Sequence, residues 1–471
     1  SPKLIIFNEK LSEEIGLGRY EEKDLGFLVG NHLPDNIKPY STPYAGHQFG
    51  NWAGQLGDGR AIYAGEIESP TGKKTEIQWK GAGATPYSRH ADGRAVLRSS
   101  VREYLMSEAM YHLGVPTTRA LSLSLTGENV VRDILYSGNP QEEKGAVVIR
   151  TAESFLRFGH FELLSAQQEY KTLHDLLDFT IKNYFPEIQS EGNQKYKDFF
   201  ENVAERTADL MVEWFRVGFV HGVMNTDNMS VLGLTIDYGP FSMMDEYDLN
   251  FTSNTTDLPR RRYAFGNQGQ ISQWNLWQLA NAPHPIIKDE KFLEDTLNKF
   301  GDYFWKGHDN MLCNKFGFDE LWESDEEFFI NWQGMMQEFQ LDYTLFFNHL
   351  ERVGGYDLKD EFERISYTVL DDKAFSKIKN FINQYELRIQ KNKISRDESL
   401  ALMRKSNPKF TLRNYLLYEC IEEIEKGETA LLEKLIIALE NPYKEKFPEF
   451  SAKRPTKYDD VSGCSMLSCS S

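Results

Sequence analysis

Between Val220 and Gly239 the chain carries a histidine, an amide and carboxylates at spacings that suit phosphate chemistry. Asn228 follows His221 by seven residues, and Asp237 stands nine residues beyond Asn228. An amide oxygen and a carboxylate are hard oxygen ligands, which suit Mg²⁺ held jointly with substrate phosphates. We therefore predict that Asn228 and Asp237 bind a divalent cation, Mg²⁺ or Mn²⁺. We expect a β-hairpin between them to return both side chains to one site.

This spacing resembles the catalytic loop of protein kinases, written H-R-D-x-x-x-x-N and followed by D-F-G. The segment Asp237-Tyr238-Gly239 is close to the second motif, but Val223 stands where the loop has its catalytic aspartate. Asp227 is the carboxylate that could replace it, because a carboxylate within reach of a hydroxyl can orient that group and accept its proton. The alternative for Asp227 is a turn or capping role, since the sequence NTDN is typical of turns.

Three features upstream fall in the order that a kinase-like fold requires. A glycine-rich turn, GQLGDGRA at residues 54–61, would let backbone N–H groups approach phosphate oxygens, although Gly-Asp-Gly is also common in hairpins. Lys80 ends a strand-like segment and can offer a fixed positive charge to a phosphate. Glu103, in the middle of a predicted helix, is placed to pair with that lysine. Taken singly, Lys80 is better explained as a solvated strand end and Glu103 as an exposed helix charge.

The elements that must position these residues change in kind along the chain. The front, to about residue 66, is rich in Gly, Pro and Tyr, which favours turns and irregular backbone. The predicted strands are AIYAGEI, TEIQWKG, NVVRDIL and GAVVIRTA, and AVLRSSVREYLMSEAMYHLG is a predicted helix. The long helix VAERTADLMVEWFRVGFV precedes the loop motif, SVLGLTIDYG is β-rich, and almost everything from about residue 268 is helical.

This layout predicts an α+β, bilobal, protein-kinase-like fold. The β-rich N-lobe would cover residues 1–150 and the mainly helical C-lobe residues 151–460. Residues 461–471 would form a flexible tail that contains Cys464 and Cys469. The alternative is an unrelated α+β protein.

Composition limits the class of protein. The 471 residues include 53 Lys and Arg against 71 Asp and Glu, a formal net charge of −18, which argues against a nucleic-acid partner. No apolar run approaches the roughly 18 residues that a membrane helix needs, and no signal peptide is visible. Four cysteines do not make a disulfide framework. We expect a cytoplasmic protein with no membrane partner, and its oligomeric state is not determined by the sequence.

Several longer segments resemble the selenoprotein O family of protein adenylyltransferases, once classed as pseudokinases. They are PYAGHQFGNWAGQLGDGRA, QWKGAGATPYSRHADGRAVLRSSVREYLMSEAM, HGVMNTDNMSVLGLTIDYGPF, RYAFGNQGQISQWNLWQLA and the closing CSS. The resemblance implies a kinase-like fold that binds ATP flipped, with the γ-phosphate buried and the α-phosphate facing the acceptor. It implies transfer of AMP to Ser, Thr or Tyr hydroxyls of target proteins, with release of pyrophosphate.

The resemblance also implies a role for each motif residue. Asp227 would accept the proton, Asn228 and Asp237 would bind the metal, and Glu103 would be the partner of Lys80. The nucleotide contacts would be Gly57, Gly59, Arg60, Lys80, Asp92, Gly93, Arg150, Arg157 and Asp237. The two last arginines would hold the buried phosphate end, since guanidinium groups suit phosphate oxygens. Without the resemblance, both would be read as surface arginines and Asp92 as a helix-start residue.

Other activities fit the same residues. They are a true kinase with Asp227 as base, transfer of another nucleotide such as UMP with Mn²⁺, and a catalytically silent pseudokinase scaffold, although a scaffold has no need of a metal site. The basic run LPRRRYAFGNQG, residues 258–269, is a candidate for docking an acidic partner or a phosphate, or else a solvated charge run. Ser253 stands where some family members carry a cysteine that pairs with the tail, so no such disulfide is expected, and Cys469 replaces the selenocysteine of others.

Overall fold

The computed structural model describes residues 1–134, 138–354 and 357–468. Its strands are β1 (Lys3–Phe7), β2 (Pro43–Gln48), β3 (Asn51–Gly57), β4 (Ala61–Glu68), β5 (Lys74–Lys80), β6 (Ala95–Val96), β7 (Arg119–Arg132), β8 (Gln141–Ala152), β9 (Phe219–Val220) and β10 (Ser242–Met243). Its first helices are α1 (Glu9–Ile15), α2 (Leu25–Leu28), α3 (Leu97–His112), α4 (Phe158–Ala166), α5 (Tyr170–Tyr184) and α6 (Asn193–Val217).

The helices that follow are α7 (Gln268–Asn281), α8 (His284–Ile287), α9 (Glu290–Phe316), α10 (Asp325–Glu338), α11 (Tyr343–Leu350), α12 (Leu358–Ile365), α13 (Asp372–Ile389), α14 (Arg396–Ser406), α15 (Asn414–Lys426) and α16 (Ala430–Leu439). Within the described residues, no helix combines the length and apolarity needed to cross a lipid bilayer. The protein is a mixed α and β structure, with its main sheet before residue 153 and helices dominating afterwards.

The main sheet is antiparallel, with the strand order β1-β7-β8-β5-β4 and β6 paired to β8. In its centre, Gln78 of β5 lies opposite Arg150 of β8. Side chains alternate between the faces of a strand, so Ile77 and Trp79 face one way and Gln78 and Lys80 the other. The same alternation in β8 puts Arg150 on the face of Lys80. The sheet therefore brings two cationic side chains to one face.

The two faces of the sheet pack against different helices. Ile77 and Trp79 join α1 residues such as Leu11 in a small apolar cluster. The opposite face packs on α3, which is buried from Leu97 to Met110. Charged groups on such a helix require partners, and Glu108, for example, accepts two hydrogen bonds from the Arg119 guanidinium. The buried position of α3 brings its other acid, Glu103, against the cationic face of the sheet.

Most of the predicted elements are confirmed. AIYAGEI forms most of β4, TEIQWKG lies in β5, GAVVIRTA ends β8, and the two predicted helices are α3 and α6. NVVRDIL is strand only as far as Arg132, and its final residue, Leu135, lies outside the described residues. The chain from Gln268 onward is largely helical, as predicted.

Two predictions are wrong. SVLGLTIDYG forms no strand in the described structure; it makes only single bridges, from Ser230 to Arg157 and from Thr235 to Thr117. Its backbone pairs with these neighbouring segments and turns at Gly233, where φ is 69°, so no hairpin joins Asn228 to Asp237. The front of the chain also has more regular structure than its composition suggested. β2 and β3 pair in a separate ribbon, because tertiary contacts with α4 and the 221–240 loop override the local preference of the sequence.

The described part of the tail is packed, contrary to the flexible tail predicted for residues 461–471. Cys464 and Leu467 are buried, and both the backbone N–H and the hydroxyl of Thr255 donate to the Leu467 carbonyl at 2.8 Å. Burial raises the pKa of the Cys464 thiol, a free cysteine, to about 12. The Ser253 hydroxyl donates to the Pro240 carbonyl. Cys469 lies outside the described residues.

Candidate active site

A cavity of about 780 Å³ lies between the main sheet and the 221–240 loop. Its wall contains every residue predicted to contact nucleotide or metal, namely Gly57, Gly59, Arg60, Lys80, Asp92, Gly93, Arg150, Arg157, Asp227, Asn228 and Asp237. Glu103 lies behind this wall and contacts two of its cations. The fold thus brings residues from five separate parts of the chain together on the wall of one cavity.

Two glycines allow the loops above the cavity to meet. A Cβ at Gly57 would lie 2.4 Å from the Tyr87 ring, and a Cβ at Gly93, where φ is 68°, would lie 2.1 Å from the Gly83 carbonyl oxygen. The contact is completed by the Thr85 hydroxyl, which donates to the Asp58 carbonyl at 2.7 Å. A side chain at Gly57 would force its turn away from the loop that contains Tyr87, and a side chain at Gly93 would clash with Gly83 within that same loop.

Three cations converge on Asp237 at the inner end of the cavity. Arg150 Nη1 lies 2.6 Å and Lys80 Nζ 3.2 Å from Asp237 Oδ1, and Arg157 Nη1 contacts Oδ2. Glu103 is the second carboxylate of the group, 2.6 Å from Lys80 and 3.2 Å from Arg150. Lys80, Arg150 and Arg157 are only 8%, 1% and 2% exposed. Their burial excludes the interpretation of the two arginines as surface residues.

This cluster sets the protonation states of its members. Burial alone would raise the pKa of Asp237, but Arg157, Lys80 and Arg150 outweigh it and hold that pKa well below its usual value. Burial lowers the pKa of Lys80, and Glu103 and Asp237 act against this effect. Three cations face Asp237 and Glu103, and a third carboxylate, Asp58, lies 3.8 Å from Arg157 Nη2, so the formal charges balance. The guanidinium and ammonium groups are nevertheless of the kind that bind phosphate oxygens.

Asp227 has a different environment. It lies in a short 3₁₀ turn, Thr226–Asn228, and is 7% exposed. Gln48 Nε2 donates to its Oδ2 at 3.3 Å, while its Oδ1 has no hydrogen-bond partner within the described part of the chain. Burial raises the pKa of Asp227 to about 6, against the opposing effect of Arg157. This carboxylate is ionised at neutral pH yet basic enough to take up a proton.

His221 and Val223 shape the loop and leave proton transfer to another residue. His221 Nε2 donates to the Ile236 carbonyl at 2.9 Å, and its Nδ1 accepts from the Val223 N–H at 3.3 Å. Burial lowers the pKa of His221, which keeps the ring neutral. Asn228 Nδ2 donates to the Val223 carbonyl at 3.0 Å, so its amide oxygen is the atom available to a cation.

The donor set fits a cation that is shared with a ligand. Among the described residues, no three His, Cys, Asp or Glu side chains lie close enough together to hold a metal by themselves. Asn228 and Asp237 contribute two oxygen donors to the cavity wall. Mg²⁺ typically takes one or two protein oxygens and completes its shell with phosphates and water. The residues present therefore fit a metal that arrives with a nucleotide.

Sequence reasoning missed several residues of the wall. Gln48 contacts Asp227, Tyr44 lies under the Arg157 guanidinium at 4.9 Å, and Arg132 donates to both oxygens of Asp92 at 2.9 and 2.7 Å. Tyr44 and Gln48 stand within a quoted motif and were open to detection. Arg132 had no such signal, because it ends a strand far from the motifs in sequence. The Asp92 carboxylate is thus already occupied, and its contact with nucleotide stays a prediction.

Comparison with known proteins shows to which family this chain belongs. The family model described as protein adenylyltransferase SelO matches residues 1–440. The chain belongs to this family. Among its relatives, the protein nucleotidyltransferase YdiU of Cytophaga hutchinsonii is 48% identical over 475 residues, covering 100% of this chain and 91% of the relative. The protein of the same name from Flavobacterium johnsoniae is 47% identical over 483 residues, covering 100% and 92%.

A third relative, the protein nucleotidyltransferase YdiU of Xanthomonas oryzae pv. oryzae, is 44% identical over 485 residues and covers 100% of this chain and 92% of its own. Membership of the SelO family makes this chain a protein nucleotidyltransferase, with ATP as its nucleotide substrate. The resemblance found in the sequence motifs is confirmed. The names of the family and of these relatives describe nucleotidyl transfer, whereas the alternatives drawn from the sequence were phosphoryl transfer and a silent scaffold.

Proposed function

We propose that this SelO-family enzyme moves AMP from ATP to Ser, Thr or Tyr hydroxyls of target proteins, on a bilobal kinase-like fold. Residues 1–150 would form the N-lobe and residues 151–460 the C-lobe. Two observations support this division: the main sheet ends at Ala152, and the cavity lies where that sheet meets the 221–240 loop. The Lys80–Glu103 ion pair and the Asn228–Asp237 spacing follow the kinase order of parts.

The single observation that carries the proposal is the buried cation cluster of Lys80, Arg150 and Arg157 on the cavity wall. Guanidinium and ammonium groups bind phosphate oxygens, and the triphosphate tail is the part of ATP that carries them. The arginines at the outer wall, Arg60 and Arg94, are more exposed. A triphosphate bound with its γ end among the buried cations would leave the α-phosphorus nearer to the cavity mouth.

With that orientation the reaction is an in-line displacement at the α-phosphorus. The acceptor hydroxyl oxygen forms the new P–O bond, the bond from the α-phosphorus to the α–β bridging oxygen breaks, and pyrophosphate leaves. The hydroxyl proton passes to Asp227, whose raised pKa suits a base near neutrality. Lys80, Arg150 and Arg157 stabilise the charge on the departing pyrophosphate.

A divalent cation would be held by Asn228 and Asp237. When bound, Mg²⁺ or Mn²⁺ neutralises phosphate charge and orients the phosphates. The chain's own task is to present Asp237 to that ion. Since Asp237 now contacts three cations, the arriving phosphates would draw those cations toward themselves and free an oxygen for the metal.

The position of the radiolabel tests the proposal. Purified enzyme is incubated with an acceptor protein and ATP labelled on either the α- or the γ-phosphate, with Mg²⁺ or Mn²⁺. Protein labelled by the α position alone is the expected result, and Asp227→Asn and Asp237→Asn should both reduce it. Labelling by the γ position alone would overturn the proposal in favour of a kinase. A parallel reaction with α-labelled UTP tells adenylyl from uridylyl transfer.

A further inference from the structure

An aromatic surface lies beside the cavity and is not used by the proposed chemistry. We call it the tryptophan strip: His47, Trp52, Trp274 and Trp277. The His47 ring lies 5.0 Å from Trp52 and 5.5 Å from Trp274, centre to centre. Trp277 follows Trp274 by three residues on α7, so the two share one side of the helix. Trp52 and Trp277 are 45% and 57% exposed, and exposed apolar side chains that are grouped together mark interaction sites more often than scattered ones do.

The strip begins directly at the proposed base. Gly46 passes so close to Asp227 that a Cβ there would lie 2.7 Å from its Oδ1. Gln48 donates to Asp227 Oδ2. His47 stands between these two contacts, and its backbone N–H donates to the Thr226 hydroxyl at 2.8 Å. Its ring points to the other face of the strand, where Nδ1 lies 3.2 Å from Glu162 Oε2. The strip therefore adjoins the turn that carries Asp227, and a protein bound with its hydroxyl at Asp227 has residues near the strip.

Three consecutive arginines border the strip. Arg262 stacks on Trp274, with its guanidinium carbon 4.6 Å from a ring centre, and Arg260 and Arg261 are exposed. Within the described ranges, none of the three forms an ion pair with a carboxylate, although Asp257 accepts the backbone N–H of Arg262. The chain as a whole carries a net charge of −18, so this is a local basic surface on an acidic protein.

We propose that the tryptophan strip and Arg260–Arg262 bind the acceptor protein. They select a segment that carries an aromatic side chain and acidic residues next to the target hydroxyl. This inference rests on the proposed function and adds the class of substrate. Tryptophan and arginine are the residue types that contribute most to protein interfaces, and a basic surface attracts acidic segments that the rest of this protein repels.

The geometry suits an extended acceptor segment. Successive residues of an extended chain advance by about 3.3 Å, so a side chain two positions from the target hydroxyl lies about 7 Å from it. A segment bound with its target hydroxyl at Asp227 would direct a flanking side chain toward the strip, which adjoins Asp227 through Gly46 and Gln48. Acidic residues farther along would then face the arginines.

Synthetic peptides test the inference directly. Each peptide has one serine; the first has a tryptophan and several Asp and Glu residues around it, the second has Lys in place of the acids, and the third has Ala in place of the tryptophan. AMP transfer is measured with α-labelled ATP. We expect the first peptide to have a kcat/KM at least about tenfold above either of the others, equivalent to roughly 1.4 kcal/mol. Raising the ionic strength should reduce that advantage over the lysine peptide.

Variants of the enzyme test whether the tryptophan strip causes the preference for the first peptide. Trp52→Ala combined with Trp277→Ala should raise KM for the first peptide about tenfold. Trp305→Ala, which removes another exposed tryptophan, is the control. In both proteins the affinity for ATP, measured by calorimetry, and the melting temperature should stay close to those of the parent.

Charge reversal is the second arm. Arg260→Glu with Arg261→Glu should abolish the preference for acidic over lysine peptides or invert it. Lys373→Glu with Lys379→Glu, both exposed on α13, makes the same change in net charge and should leave the preference as it is.

The outcomes separate the two proposals. Transfer to peptides with equal kcat/KM for all three sequences, or with unchanged preference in the variants, overturns this inference and leaves the proposed function standing. Failure of the parent enzyme to label any protein or peptide from α-labelled ATP overturns the proposed function, and this inference with it.

Discussion

Asp227 and Asp237 lie ten residues apart on one loop and line one cavity, yet their surroundings shift their pKa values in opposite directions. Asp237 contacts three cations, which hold its pKa well below the usual value. Asp227 receives a single side-chain hydrogen bond, has one unpartnered oxygen in the described structure, and has its pKa raised by burial to about 6. Two carboxylates with pKa values pushed apart are typical of a site that divides its roles.

The contrast supports the proposal that Asp227 is a base in a site that lacks the usual catalytic aspartate. Val223 is apolar and nearly buried where a kinase loop carries that aspartate. The neighbouring carboxylate, Asp227, is kept free of strong cationic partners, while the cations are collected on Asp237. A carboxylate saturated by arginine is a poor proton acceptor, and a buried carboxylate with a free oxygen is a better one.

The largest expected effect is that of Asp237→Asn. Removal of this charge leaves Lys80, Arg150 and Arg157 with only Glu103 and the more distant Asp58 as carboxylate partners. We therefore expect no detectable transfer and a loss of about 3–5 kcal/mol in the free energy of unfolding. ATP should raise the melting temperature of the variant more than that of the parent, because phosphates supply the missing counter-charge. An equal rise in the melting temperature of both proteins would contradict the view that Asp237 is the main counter-charge of the three cations. Transfer and thermal unfolding with and without ATP are the measurements.

Asp227→Asn should act on the chemistry and leave binding almost unchanged. Loss of a general base typically reduces kcat by about 10²–10⁴, whereas the affinity for ATP should change little, since Asp227 is not among the groups that hold the phosphates. Stability should stay the same or rise, because a poorly paired buried carboxylate is removed. Single-turnover kinetics and calorimetry measure the two effects. A large loss of ATP affinity would make Asp227 a binding residue and erase the contrast with Asp237.

Arg157→Lys tests whether the cations around Asp237 bind the triphosphate of ATP. Arg157 Nη1 contacts Asp237 and donates to the Asp227 carbonyl at 2.8 Å, while Nη2 lies 3.8 Å from Asp58 Oδ1. A single ammonium nitrogen cannot reproduce this planar, two-nitrogen arrangement. We expect ATP to bind about tenfold more weakly. Arg132→Lys, at the outer wall and partly exposed, is the matched control and should cost less than about threefold. Similar losses in both variants would contradict an inward-pointing triphosphate.

The smallest effect concerns pH. The base must be deprotonated to act, so kcat/KM should rise as the pH rises through about 6 and then level off. In Gln48→Met the hydrogen bond that favours the Asp227 carboxylate is absent, which should move this limb to higher pH. The dependence of kcat/KM on pH, measured for the parent, Gln48→Met and Asp227→Asn, tests whether Asp227 is the titrating group. A limb that persists in Asp227→Asn belongs to another group.

The sequence predicted the strand β5, the helix α3 and the order of Lys80, Glu103, Asn228 and Asp237. It wrongly predicted a hairpin at residues 230–239. That segment has β-forming residues, but their backbone partners lie elsewhere, at residues 116–118 and 156–158. The depth of Arg150 and Arg157 was equally hidden. A lone arginine at the end of a strand has the same local sequence whether it is buried or exposed.

The sequence by itself determined the motifs, their order and the family to which they belong, since these depend only on residue types and spacing. Tertiary structure alone decided which aspartate contacts the cations and which keeps an unpartnered oxygen and a raised pKa in the described residues. The reason is distance along the chain: Lys80 is 157 residues from Asp237, and Gln48 is 179 residues from Asp227. The charge environment of a carboxylate depends on such contacts, and no local pattern records them.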